Sequence, residues 1–445
     1  MILGIIAAVS FCAGAGIPAD LPPDFVPLGA YLSWERIGAC AKVFGIDRWE
    51  DVNRRLDALQ ANHVNLLWVT NMSEADLPRL AEECAKRMIC LLPCIDAVEA
   101  KVDWRWDANA SYYDTLLPRI TKETSSIKNI AGWVLSDEPA EKDFPRLETL
   151  RLKLRELDPA RFCTAVFMWP QAPLAPKQAK LPVVCVDLYP FFGPDDPNGP
   201  QTDATSEAFF RGHAKSLLNA IGSQPMAAWI MGMCFSDIWG PRKYNDKGHL
   251  VGLPGAYLHW RAPTLAEMRW QVWESIRSGA KGFICYTLAP EAPDPQTATA
   301  ASPEVAWKDV LAKTETDLGP NALTNPNGTA TPQLEELGRV YGQLVLHTEV
   351  ILRWRAYDNS GITVEGDGQL QCFVDPKDNG LYTVVLNDDL HEAHTLKLQL
   401  KKAVSAMKDV ARNQEISLDA KSSEGLTTGS IRLDAGEGVI LRLNP

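Results

Sequence analysis

Positive charge is the first thing the chain has little of. Lys and Arg number 44 against 56 Asp and Glu in 445 residues, a formal net charge of -12. The acids are scattered and no basic stripe is present, which argues against a polyanion such as nucleic acid as partner. Histidine is scarce too, with 7 in all. His391 and His394, in a β-type stretch, have the wrong spacing for a zinc motif and read as solvent-facing, so neither a metal site nor a cofactor is expected. The cysteines contain no C-x-x-C pair. Cys90 within Ile89-Cys90-Leu91 and Cys185 within Val184-Cys185-Val186 have the setting of small buried hydrophobes, and a chain of this length does not depend on disulfides. A P-loop, a dinucleotide fingerprint and a serine nucleophile elbow are all missing.

Long apolar runs are missing as well, apart from one at the start. Met1 to Ala15 carries Ile2, Leu3, Ile5, Ile6, Val9 and Phe11 and ends in Ala13-Gly14-Ala15. It reads as a signal peptide over residues 1–16, although its first residues lack Lys and Arg, and it implies a secreted or periplasmic protein. The alternative is a buried N-terminal strand. Cys12 follows bulky Phe11, which does not suit lipidation. Nothing further along approaches the length of a membrane span.

What the chain does have is apolar residues, 46% against 22% charged, enough for a large core and a second domain. Eight β-rich runs alternate with helical periodicity over residues 22–354. They are Val26 to Trp34, Val64 to Asn71, Ile89 to Asp96, Ile130 to Asp137, Phe162 to Trp169, Val183 to Pro190, Met226 to Phe235 and Lys281 to Leu288. Several are apolar throughout, as strands of a parallel sheet covered on both faces should be. The helices carry apolar stripes, such as Val52, Leu56 and Leu59, which denote core packing. One helix has clear ends, Pro263-Thr264 and Gly279, and the last runs from Leu334 to about Ile351. The fifth crossover, Gln171 to Leu181, contains Pro173 and Pro176 and predicts a short or absent helix. Eight such units fit a (β/α)8 TIM barrel better than a doubly wound sheet. Catalytic groups are then expected at the C-terminal ends of the strands. From 355 to 445 the pattern changes to period-two runs separated by turn signals such as Asp378-Asn379-Gly380, which predicts a small all-β sandwich.

The fourth strand ends Trp133-Val134-Leu135-Ser136-Asp137-Glu138-Pro139. A carboxylate there points into the mouth of the barrel, with Asp137 and Trp133 expected beside it. Adjacent, partly desolvated acids repel one another, so one should hold its proton near neutrality, as a general acid must. The alternative is an acidic pair capping the next helix.

This segment resembles the acid/base strand of the clan of TIM-barrel glycoside hydrolases that includes families 5 and 42. There the motif is usually Asn-Glu, often followed by Pro, whereas here Asp137 replaces Asn. An Asp accepts hydrogen bonds where Asn also donates, which alters how a sugar 2-hydroxyl is held. The resemblance implies Glu138 as proton donor to the glycosidic oxygen. It extends to Asp187-Leu188-Tyr189-Pro190, where Tyr189 would reach the second carboxylate, and to Tyr286 as the aromatic at the end of strand eight. It also covers Pro263 to Arg269, Ser278 to Phe283 and the closing run Gly438 to Leu443.

The seventh strand departs from the clan's pattern. Met226 to Phe235 contains no carboxylate where the clan has its nucleophile, and the first acid is Asp237. Three readings stay open: Asp237 as nucleophile or base, Asp187 as base of an inverting reaction, or a site without a competent pair. Other acids placed after strands are Glu35, Asp96 and Glu291, and Arg36 can orient a carboxylate. Trp239 and Trp260 bracket a long loop and suit stacking on sugar rings, as do Trp104 and Trp106. A loop from Pro290 to Pro332 reads as a lid over the mouth. Together these features imply hydrolysis of O-glycosidic bonds in a poly- or oligosaccharide. A non-catalytic glycan-binding barrel and a transglycosylase are the alternatives.

Overall fold

The computed structural model describes residues 26–95, 110–194, 196–197, 199, 202–244, 250–252, 254–290, 322–358, 361–401, 404, 406–419 and 427–444. The segment read as a signal peptide, Cys12, Asp96, Trp104, Trp106, Glu291 and most of the expected lid lie outside these residues.

Eight parallel strands form the barrel. They are β1 (Leu28–Ser33), β2 (Leu66–Thr70), β3 (Cys90–Pro93), β4 (Gly132–Asp137), β5 (Phe162–Met168), β6 (Val183–Asp187), β7 (Ala227–Met233) and, after four short strands, β12 (Phe283–Tyr286). Their order is β3-β2-β1-β12-β7-β6-β5-β4. Parallel bridges Leu91 to Ile130 and Cys94 to Val134 join β3 to β4 and close the ring. Side chains alternate as period two requires. Val183 and Cys185 pack inside with Trp68, Phe162 and Trp229, while Val184 and Val186 face the helices.

The helices begin and end where local chemistry directs. Thr264 caps the helix Leu265–Ser278 in a box with Glu267, and Gly279 ends it at φ 106, a conformation that suits glycine. The proline-bearing fifth crossover holds only a 3-10 turn, Ala172–Leu174, and the four-residue helix Ala175–Gln178. Two features differ from expectation. Trp34 leaves the first strand to open α1 (Trp34–Phe44), which puts Glu35 in a helical first turn. The long loop after β7 is a β-ribbon: β8 (Asp237–Trp239) pairs with β11 (Tyr257–Trp260), and β9 (Arg242–Tyr244) with β10 (Leu250–Gly252). The last helix ends at Leu344, and a 3-10 turn and a short helix carry the chain to Arg353.

The C-terminal strands form antiparallel sheets of six and four strands. The turn Asp378-Asn379-Gly380 forms as expected, with Asn379 at φ 57. Three short strands, Arg355–Ala356, Gln414–Ile416 and Leu418–Asp419, join those legible in the sequence. The larger sheet packs on the barrel: Trp354 stacks on Phe373 with centroids 4.2 Å apart, and Trp270 Nε1 donates to Asp388 Oδ1 at 2.9 Å. Cys40, Cys84, Cys90, Cys185, Cys234 and Cys285 are free thiols.

Candidate active site

The acidic centre of the mouth depends on an irregularity in β4. Val134 pairs with Thr164 but Asp137 with Val166, so three residues of β4 advance against two of β5. This β-bulge re-aims the side chains beyond it. Strict alternation would leave Asp137 on the outer face, yet it lies where Tyr31, an inward residue of β1, donates to its Oδ2 at 2.5 Å. Thr70 Oγ1 lies 3.0 Å from Tyr31 Oη. Because the phenolic proton is committed to Asp137, Thr70 is the donor of that second bond.

Glu138 comes next at φ 48, a left-handed conformation for a residue with a side chain. Such a backbone costs about 1–3 kcal/mol and persists where surrounding structure enforces it. Its N–H donates to Val166 O at 3.0 Å, and its side chain is exposed.

Asp187 closes the arrangement from the end of β6, where it is 5% exposed. Glu138 and Asp137 are the acidic neighbours that act on its carboxyl. Burial first, then the neighbouring Glu138 and Asp137 carboxyls, hold the Asp187 carboxyl well above the usual carboxylate range. Asp187 is therefore held towards its protonated form. Its Oδ1 has no hydrogen-bond partner among the described residues. Burial and the neighbouring acids also push Tyr189 up, so its hydroxyl stays protonated.

Aromatic rings wall the acids. Tyr189 packs edge-on against Phe235 and Trp260, with centroids 5.2 and 5.5 Å apart. Phe235 meets Tyr286 at 5.1 Å, and Tyr286 meets Tyr31 at 4.8 Å. Trp260 Nε1 is another buried donor without a partner among the described residues. Arg36 donates to Tyr286 Oη at 3.2 Å and fixes that ring from outside.

The remaining candidates fall elsewhere. Trp133 does not line the mouth. It is fully buried on the outer face of β4, its Nε1 bonded to Asp158 Oδ2 at 2.9 Å, because its parity relative to Val134 turns it to the helices. Glu35 is exposed and accepts from Asn71 Nδ2 at 2.9 Å. Asp237 begins the ribbon and accepts from Trp239 Nε1 at 3.0 Å, whereas the acids acting on Asp187 are Glu138 and Asp137. Trp239 is 43% exposed and stacks on His259 at 3.7 Å, which is bonded to buried Asp196. His394, expected to face solvent, turns its Nε2 to Asp389 at 2.8 Å.

Sequence reasoning missed Tyr31 and Phe235. Tyr31 sits at an inward position of β1, so alternation was an available signal. Nothing in the sequence marked Phe235 as part of the wall.

By sequence the chain matches no protein-family model and no curated protein. Its fold is similar to solved structures. A family 5 glycoside hydrolase from Bacteroides vulgatus ATCC 8482 aligns over 93% of this chain and 87% of its own, with TM-score 0.53 and 11% identity. A family 51 α-L-arabinofuranosidase from Bifidobacterium longum aligns over 97% and 98%, with TM-score 0.46 and 11% identity. A Faecalibacterium prausnitzii β-glucuronidase aligns over 72% of this chain but 49% of its own length, with TM-score 0.47 and 12% identity. At such identity the likeness to the family 5 structure bears on the fold alone, a (β/α)8 barrel followed by a β domain.

Proposed function

We propose that the chain hydrolyses O-glycosidic bonds of an oligo- or polysaccharide, with Glu138 as the acid/base group, and that it is a distant member of the clan that includes families 5 and 42. The observation that carries this reading is the pair of interacting carboxyls, Glu138 and Asp187, beside an aromatic wall. Aromatic faces suit the C–H faces of a sugar. The partnerless Asp187 Oδ1 and Trp260 Nε1 suit its hydroxyls.

In this scheme the pair holds one proton, and exposed Glu138 delivers it to the leaving oxygen while buried Asp187 supports it. In the same scheme Asp137, which accepts the Tyr31 hydroxyl, lends its carboxylate to the oxocarbenium-like centre. Export through residues 1–16 and a domain boundary near residue 354 belong to the same proposal.

The test is reducing-end release from a panel of polysaccharides and aryl glycosides. Glu138→Gln should lower kcat/KM by about 10²–10⁴-fold on any substrate the wild type cleaves; full retained activity would sink the assignment. A second reading, glycan binding without cleavage, is favoured by the phenyl ring of Phe235 following β7 where the clan has a carboxylate. It predicts saturable glycan binding by the wild type with no reducing ends released.

A further inference from the structure

The sandwich carries a mixed donor set remote in sequence from the barrel's acids. His394 Nε2 lies 2.8 Å from Asp389 Oδ2 and 4.0 Å from Asp367 Oδ2, and the three donor atoms lie within 4.8 Å of one another. From these positions we propose that His394, Asp389 and Asp367 bind one divalent transition-metal ion of the zinc type.

The chain fixes each donor from a different segment. Asp367 lies in the turn before the strand Gly368–Asp375, and its carbonyl accepts from Asp388 N at 2.8 Å. Asp389 follows the strand Gly380–Asn387. Its Oδ1 accepts the backbone N–H of His391 at 2.7 Å and of Glu392 at 3.0 Å, which directs Oδ2 to the imidazole. His394 opens the strand His394–Leu400, which belongs to the other sheet. Half-buried imidazole on one sheet thus faces two carboxylates on turns of its partner.

Zinc bonds to nitrogen and oxygen of about 2.0–2.2 Å, arranged tetrahedrally, place donors roughly 3.4 Å apart. The observed 2.8 and 4.0 Å separations bracket that value, so small side-chain rotations seat the ion. One imidazole with two carboxylates suits zinc, cobalt or nickel. Calcium and magnesium take larger all-oxygen sets. An ion here would clip the two sheets at the turn whose Asp388 also pairs with Arg211 and Trp270 of the barrel helices.

The experiment is calorimetric titration of the whole apo protein, after chelation, with zinc chloride alone, backed by metal analysis after dialysis. We expect one saturable zinc ion per chain and a rise in melting temperature. Both should be lost in His394→Ala, and affinity should fall at least about tenfold in Asp389→Asn. His391→Ala, at a neighbouring exposed histidine, should leave binding unchanged, and calcium should not compete. Absence of stoichiometric zinc binding by the wild type, or equal binding by His394→Ala, overturns the proposal. Circular dichroism of each variant separates lost binding from lost folding.

Discussion

Two buried carboxylates, Asp51 on α2 (Arg48–Ala61) and Asp187 at the mouth, have opposite surroundings. Asp51 meets Arg55, both side chains 0% exposed, and the guanidinium bonds onward to Thr324 Oγ1 and to the carbonyls of Asn325 and Pro326. Burial raises the Asp51 pKa, but the cation opposes that shift. Asp187 has no such counter-charge acting on it; Glu138 and Asp137 push in the same direction as burial. The first arrangement closes a loop onto the barrel wall and satisfies its own polar atoms. The second concentrates like charge and leaves an oxygen unpaired, which destabilises the fold and is the pattern expected of acids that move protons.

Substitutions can break this contrast, beginning with the largest effect. Asp187→Asn leaves Glu138 beside an amide that holds no transferable proton. Glycosidase activity should fall by about 10²-fold or more, seen as kcat/KM on any cleaved substrate; unchanged activity would show that Asp187 only fills space. Arg55→Met strands a buried carboxylate and should cost about 3–5 kcal/mol in denaturant unfolding. Activity per folded molecule should be unaltered, and adding Asp51→Leu should recover much of the loss. If Arg55→Met abolished turnover in fully folded protein, the division between structural and functional acids would fail.

Tyr31→Phe removes a hydrogen bond to a charged group, worth about 1.5–3 kcal/mol. The expected result is a drop of about 10- to 100-fold in kcat with the fold intact by circular dichroism. The smallest effect sharpens the comparison through pH. Folded Asp187 keeps its proton at pH values where the unfolded chain has released it, so the folded state binds more protons in that window. Its contribution to stability is greatest below the ordinary carboxylate range and declines as pH rises towards the raised value. Asp187→Asn should flatten this decline and raise the melting temperature at neutral pH by about 2 °C or more. A steeper pH dependence in the variant would contradict the assigned direction. An inactive but more stable Asp187→Asn protein would mark the site as a place where stability yields to function.

The eight strands were legible because a strand covered on both faces must be apolar throughout, and β6 or β7 has no other reading. The weak fifth crossover was equally plain, since Pro173 and Pro176 resist a long helix. The site was harder. Glu138 stood out by its place after β4, but Asp137 entered the mouth through a bulge that no residue of Val134 to Asp137 announces. Trp133 faces the helices by simple alternation, a cue that neighbourhood in sequence obscured. His394 read as solvent-facing because nothing in its vicinity revealed that Asp367 would be brought to it.

Local chemistry therefore determined the element types, their order and the acidic ending of the fourth strand, because hydrophobic periodicity, caps and proline act over a few residues. Ring closure decided the rest. Only there do β1, β4 and β6 bring Tyr31, Asp137, Glu138 and Asp187 together, and the proton affinity of a carboxyl is set by the charges and solvent around it, which come from strands far apart in the chain.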